Sequence, residues 1–338
     1  MFDPSTSPSP QRTPRRVFVL GATGTIGRAT VRALVHRNYD VVCLVRPNAL
    51  TETNRDVARF FEGAKLRIGD ATHPESVARD GFRGERFDVL VSCLASRTGV
   101  PQDAWSIDYQ AHVSALDTAK QAGVSQMVLL SAICVQKPLL PFQQAKLAFE
   151  KLLMESGLTY SIVRPTAFFK SLSGQIDRVK RGKPFLLFGD GTLTACKPIS
   201  DNDLAEFLAG CIDDEGRHNR VLPIGGPEPA ITPKQQGEQL FKLLGREPRF
   251  KHVPVPLIDS IAWTLAAIGR VVPAIASKAE LARIGCYYAT ESMLVLNPAT
   301  GRYDAEATLS FGTETLFDYY ARVINGEAQV ERGEHAVF

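Results

Sequence analysis

Three glycines, Gly21, Gly24 and Gly27, stand in VFVLGATGTIGRA, directly between a short apolar run and a helical pattern. The first permits a tight turn, the second lets the backbone approach a pyrophosphate, and the third lets the helix pack against the strand. The helix N-terminus then offers N–H groups to the phosphates, so Thr23, Thr25, Ile26 and Arg28 join the glycines as expected cofactor contacts. The next apolar run ends CLVRP. An acid there would bond a ribose 2′-hydroxyl; Arg46 stands in its place, and a guanidinium suits a 2′-phosphate, with Arg28 as a second clamp. The cofactor read from this pattern is NADPH. Asp70 in GDAT can reach an adenine amino group, in competition with capping the helix that follows. Cys93, Leu94 and Ala95, ending FDVLVSCLAS, are expected along the nicotinamide ribose.

A second segment, SAICVQKPLLPFQQAKLAFEKLL, puts Ser131 at the end of an apolar run and Lys146 early in a helical pattern. In many nicotinamide-dependent reductases of this general shape a tyrosine four residues before that lysine supplies the proton. Here that residue is Phe142. Lys146 is read as the catalytic residue, bonding ribose hydroxyls and lowering the cost of charge beside the nicotinamide, against the plainer reading of a solvated helix charge. Ser131 is taken as a cofactor contact. Pro165, Thr166 and Phe168 in YSIVRPTAFFKSL follow another apolar run and are placed beside the nicotinamide. Core packing is the competing reading for Phe168 and Phe169.

The elements that must position these residues are legible. Apolar runs at 17–20, 41–47, 64–70, 87–96, 126–132 and 159–166 read as strands, and helical patterns at 28–36, 106–122 and 143–156 lie between them. Strands apolar on both faces alternating with helices give an α/β fold, a Rossmann-type doubly wound parallel sheet with a smaller C-terminal substrate lobe. The division expected is a disordered tail at 1–15, a cofactor domain at 16–166, a lobe at 167–325 that can return elements to the sheet, and a tail at 326–338. In the lobe, 233–244 and 257–272 read as helices. The second of these, around Trp263, fits a cleft wall, a membrane-surface contact or plain core.

The chain has 338 residues, a net charge of +3 and no basic block, so no nucleic acid is expected. Six scattered cysteines lack any paired spacing, which predicts reduced thiols and no metal site. MFDPSTSPSPQRTPRR has no apolar stretch of a secretory signal and is short for a transit peptide, and no apolar run is long enough to span a bilayer.

Taken together, VFVLGATGTIGRA, CLVR, GDAT, SCLASRTG, the Ser131–Leu153 segment and YSIVRPTAFFKSLSGQ resemble the divinyl chlorophyllide 8-vinyl reductases, an atypical NADPH-dependent branch of the short-chain dehydrogenase/reductase superfamily. The likeness runs from about Arg16 to about Phe317; CVQKP, FQQAK and RPTAFFKSL carry the narrower part of it. The resemblance implies reduction of the 8-vinyl group of a tetrapyrrole, a divinyl chlorophyllide or protochlorophyllide, to ethyl in chlorophyll or bacteriochlorophyll biosynthesis. Such a reaction creates no alkoxide, so the phenol loses its purpose and Phe142 can offer flat apolar surface to the macrocycle. Phe169 is expected beside it, with Lys170 and Arg97 for the propionate. Lys146 or water ranks first as proton donor, before Tyr109 or a cysteine such as Cys134. A cytoplasmic bacterial protein, touching the photosynthetic membrane at most peripherally and needing no protein partner, is the implied setting. The rival readings are a non-catalytic NADPH-binding protein and an isoflavone- or lignan-type reductase.

Overall fold

The computed structural model describes residues 14–47, 61–256, 260, 263–265 and 273–328. The chain opens with β1 (Arg16–Leu20), α1 (Thr25–His36), β2 (Asp40–Val45) and β3 (Lys65–Ile68), followed by the helical segment α2 (74–82) and β4 (Val89–Ser92). A long helix α3 (101–121), β5 (Gln126–Leu130), α4 (Pro141–Met154) and β6 (Thr159–Pro165) complete the first half. The second half brings α5 (Phe169–Leu172), α6 (Ile176–Lys180), β7 (Phe185–Phe188), α7 (Asp201–Gly210) and β8 (Arg220–Gly225). It continues through α8 (Pro233–Leu243), β9 (Phe250–Val253), α9 (Pro273–Thr290), β10 (Val295–Leu296), β11 (Tyr303–Asp304), β12 (Leu309–Ser310) and α10 (Leu316–Asn325).

Eight parallel strands form the central sheet in the order β12-β8-β6-β5-β4-β1-β2-β3. The direction of winding reverses between β1 and β4, and it is beside such a reversal, at the strands' carboxyl ends, that an α/β sheet opens a crevice. Strand periodicity divides each apolar run between two cores. Val17, Val19, Val41, Cys43, Val89 and Val91 bury on the face covered by α1 and α7. Phe18, Leu20, Val42, Leu44, Leu90 and Met127 bury on the other face, with Ala115, Leu116, Phe149 and Leu153 of α3 and α4. The inner strands β4 and β5 are buried throughout, which is why they read as continuous apolar runs and not as alternating ones.

The 167–325 segment both builds a lobe and completes the sheet. Its own core gathers Phe169, Ile176, Val179, Phe185, Leu240, Phe241, Leu316 and Tyr320. It also returns β8, β12 and α7 to the main sheet. A fourth apolar cluster joins Ile284 and Tyr287 of α9 to Ile133, Cys134 and Leu140, with Phe142 packed against it. Most of the 257–272 stretch lies outside the described residues; within it, Trp263 is helical and 75% exposed, not core. No helix among the described residues is long and apolar enough to cross a membrane.

Candidate active site

The glycine loop has the division of labour its spacing predicts. Gly21 has φ +71°, and a Cβ there would lie 2.4 Å from the backbone of Cys93 and Leu94, so β1's end abuts β4's end. A Cβ on Gly27 would come within 2.1 Å of the Gly21 carbonyl oxygen. Around Gly24, the N-cap of α1, the nearest such approach is 3.5 Å, leaving a space on the open side of the turn. That open cradle at a helix N-terminus fits the pyrophosphate of a dinucleotide. Arg46 directly follows β2, exposed, at the same carboxyl edge. Thr23 lies beside the cradle, and Ile26 is buried beneath it in the α1 core. Arg28 lines a groove with Arg32, Lys170, Asp201, Glu314 and Arg322, on the side of α1 that faces α7 and α10.

Two polar residues missed in the sequence fix the loop after β4. The Ser92 hydroxyl lies 2.8 Å from His112 Nε2, and the His112 Nδ1–H donates to the Ile107 carbonyl at 3.0 Å. Burial, with the nearby Lys146 charge, pulls the His112 pKa down to about 4, so the ring is neutral and accepts the Ser92 proton. Ser92 Oγ in turn accepts the Leu94 N–H at 3.4 Å. Cys93 packs its thiol toward Thr30, and Ala95 faces outward.

Lys146 is not a solvated charge. Its ammonium pairs with Asp108 Oδ1 at 2.9 Å, with the lysine side chain 11% exposed and the aspartate fully buried. Asp108 sits where α3 is wound as a π-helix over Ala104–Ala111, a distortion that marks functional sites in many helices. Its Oδ1 also accepts the Ser96 N–H at 3.2 Å, while Oδ2 is buried with no protein partner among the described residues. Asp108, His112, Ser131 and Lys146 line one small cavity between α3, β5 and α4.

Several of the expected site residues have protein partners of their own. The Ser131 hydroxyl, expected at the cofactor, donates to Glu150 Oε1 at 2.5 Å, and Glu150 is clamped by Arg164. This buried network ties β5, α4 and β6 together one helical turn beyond Lys146, so Ser131 positions the helix. Phe169 is buried in the lobe core, its ring centroid 5.7 Å from that of Tyr319. Lys170, expected at a substrate carboxylate, donates to Thr25 Oγ1 at 2.8 Å and so belongs to the glycine loop. Asp70 caps nothing: its Oδ1 accepts from the Thr72 N–H at 2.9 Å and the Thr72 hydroxyl at 2.8 Å in a local turn. The Thr166 hydroxyl is spent on the Lys197 carbonyl, Phe168 bridges to Ile199, and Pro165 is buried at the end of β6.

Phe142 stands one turn before Lys146, half-buried, with its ring 3.5 Å from the point where a Gly99 Cβ would lie. Arg97, on the same loop as Gly99, is exposed; its N–H and that of Thr98 are held by Asp103 Oδ2 at 3.0 Å. CVQKP proves to be a docking ledge. Gln136 exchanges two hydrogen bonds with the backbone of Leu294 and Leu296, Lys137 pairs with Glu291 at 2.6 Å, and the Cys134 carbonyl accepts the Tyr287 hydroxyl at 2.8 Å. In FQQAK, Gln143 accepts the Leu140 N–H at 2.9 Å and so caps α4.

The model of an NAD(P)H-binding family matches residues 21–215. The divinyl chlorophyllide a 8-vinyl-reductase of Oryza sativa subsp. indica is 49% identical over 331 residues, covering 95% of this chain and 82% of that protein. The chain belongs to the divinyl chlorophyllide a 8-vinyl-reductase family. Another member, from Arabidopsis thaliana, is 48% identical over 98% of this chain and 82% of its own length. Among solved structures, an NADPH-dependent quinone oxidoreductase of Escherichia coli, complexed with NADPH, aligns with a TM-score of 0.63 over 91% of this chain and 100% of that one. At 18% identity this speaks to the fold alone.

Proposed function

We propose that this chain reduces the 8-vinyl group of a divinyl chlorophyllide to ethyl with NADPH. The observation that carries the reading is Phe142. One turn before a buried, charge-paired lysine, where carbonyl reductases of this shape need a phenol, the chain puts an apolar ring against Gly99 and Ile284. A vinyl group conjugated to a macrocycle asks for that: no oxygen is reduced, no alkoxide forms, and a flat greasy surface meets a flat greasy substrate.

NADPH, when bound, supplies the hydride. The chain's part is to hold and orient. Gly21, Gly24 and Gly27 with the N-terminus of α1 take the pyrophosphate, Thr25 and Lys170 stand beside it, and Arg46 takes the 2′-phosphate. Ser92 and His112 hold the backbone of Leu94 beside the nicotinamide ribose. Lys146, fixed by Asp108, puts a positive charge where negative charge spreads into the macrocycle. Arg97, exposed beside Gly99, is the guanidinium for the propionate. The exposed Trp263 suits shallow contact with a membrane surface, which fits a cytoplasmic protein of a phototrophic bacterium drawing a membrane-partitioning substrate.

The test is to mix the protein with NADPH and 3,8-divinyl chlorophyllide and follow the Soret band and the product mass. A blue shift with a gain of two hydrogens, absent without NADPH, is the expected result. Tight NADPH binding with no turnover would remove the proposal in favour of a binding protein.

A further inference from the structure

Vinyl reduction adds a hydride and a proton, and the residue four before Lys146 has no proton to give. Three phenols lie around the site. Tyr287 is buried at 5% exposure with its hydroxyl committed to the Cys134 carbonyl. Tyr109 packs into the core beneath α3 and stacks edge-on against Trp105, ring centroids 5.5 Å apart. Tyr288 differs from both. It is 43% exposed, and its hydroxyl touches only the edge of hydrogen-bonding range, 3.9 Å from Cys134 Sγ. A sulfur contact that long leaves the O–H available to a better acceptor.

Its position follows from the helix that carries it. Ile284 and Tyr288 are one turn apart, on one face of α9. The Ile284 Cδ1 lies 2.9 Å from the point where a Gly99 Cβ would be, the point that Phe142 approaches from the other side. This face of α9 therefore lies over Phe142, one turn from Lys146, while the Tyr288 hydroxyl is turned toward the loop after β5. The nearest thiol is a poor rival, because Cys134 is 3% exposed.

We propose that Tyr288 is the proton donor of the vinyl reduction, a phenol brought from α9 to the region where the α4 phenol is missing. The inference rests on the vinyl-reductase reading. The step balances: the Tyr288 O–H bond breaks, a C–H bond forms at the substrate carbon that carries the negative charge, and the half-exposed phenolate recovers a proton from water.

Tyr288→Phe keeps the ring and removes only the hydroxyl. It should lower kcat about 100-fold, the scale of a general acid, with NADPH affinity, the Soret shift on chlorophyllide binding and the melting temperature unchanged. Tyr109→Phe serves as the comparison and should retain turnover. An active parent with Tyr288→Phe within twofold of it, or a loss confined to Tyr109→Phe, overturns the assignment alone. A parent that binds NADPH and chlorophyllide but does not reduce the vinyl group overturns the assignment and the reading beneath it together.

Discussion

Lys146 and Asp108 stand or fall as a pair. A carboxylate with no exposed surface is tolerable only while its partner is present, because removing one member of a buried pair strands the other charge at a cost of about 3–5 kcal/mol. Lys146→Ala should therefore lose stability on that scale as well as activity. Combining Lys146→Ala with Asp108→Asn should restore most of the stability, since no charge is then stranded, and none of the activity. Thermal unfolding and turnover of the two singles and the double separate these effects. A Lys146→Ala protein as stable as the parent would show that the pair is not formed. Asp108 was not legible in the sequence for a physical reason. A single acid in AWSIDYQAH reads as part of a solvated helix face, whereas the stretch is wound as a π-helix and Asp108 is buried against Lys146. The partner of Ser131 was hidden in a similar way, because Glu150 is an acid that an amphipathic reading assigns to solvent, yet it is fully buried.

At the scale of elements, the turn between β1 and α1 makes a prediction that separates folding from binding. Gly27→Ala drives a methyl into the Gly21 carbonyl, so it should cost stability and cofactor affinity together, about 1–3 kcal/mol for the strain. Gly24→Ala meets nothing closer than 3.5 Å at an ordinary extended φ of −69°. It should leave the melting temperature alone and weaken NADPH binding at least about tenfold, the methyl standing where a phosphate must approach. Equal NADPH affinity in Gly24→Ala and the parent, by fluorescence titration, would mean that this turn is not the phosphate cradle. The contact between α3 and β4 adds a pH dependence. His112 is held neutral with a folded pKa near 4, below its unfolded value near 6.5. Its contribution is thus complete above pH 6.5 and is lost as pH falls toward 4, by about 3 kcal/mol in all. Unfolding in urea at pH 7 and pH 5 should show a steep acid loss in the parent and a flatter one in His112→Gln; matching slopes would sink the assignment. The strands were readable because a sheet covered on both faces demands unbroken apolar runs. The Ser92–His112 contact was not, because it depends on how far α3 sits from β4, which no local pattern encodes.

Over the whole molecule, what distinguishes the site is how the C-terminal segment is brought back across it. The distinctive residues of CVQKP have a structural task. They fasten residues about 160 positions downstream, through Gln136 to the backbone of Leu294 and Leu296 and through Lys137 to Glu291, whose other oxygen accepts the Tyr303 hydroxyl. Strand and helix patterns up to β6 are local, but this fastening pairs polar side chains with backbone groups far along the chain, so the sequence showed the motif without its purpose. Because α9 and β10 cover Phe142 and not the glycine loop, loosening them should separate the two ligands. Gln136→Ala removes two hydrogen bonds to β10, a net loss of about 2 kcal/mol at that edge. Amide exchange through α9 and β10 should quicken, while β1, β4 and β5 keep their protection. The KM for chlorophyllide should rise severalfold, since the wall that α9 forms beside Phe142 through Ile284 is then ordered only at the expense of substrate binding. NADPH affinity should stay within twofold of the parent, the cradle at Gly24 being built at the turn between β1 and α1, with β4's end and Lys170 beside it and neither α9 nor β10. Faster exchange in α9 accompanied by an equal loss of NADPH affinity would contradict this division, and would mean that the lobe and the cofactor site open as one unit.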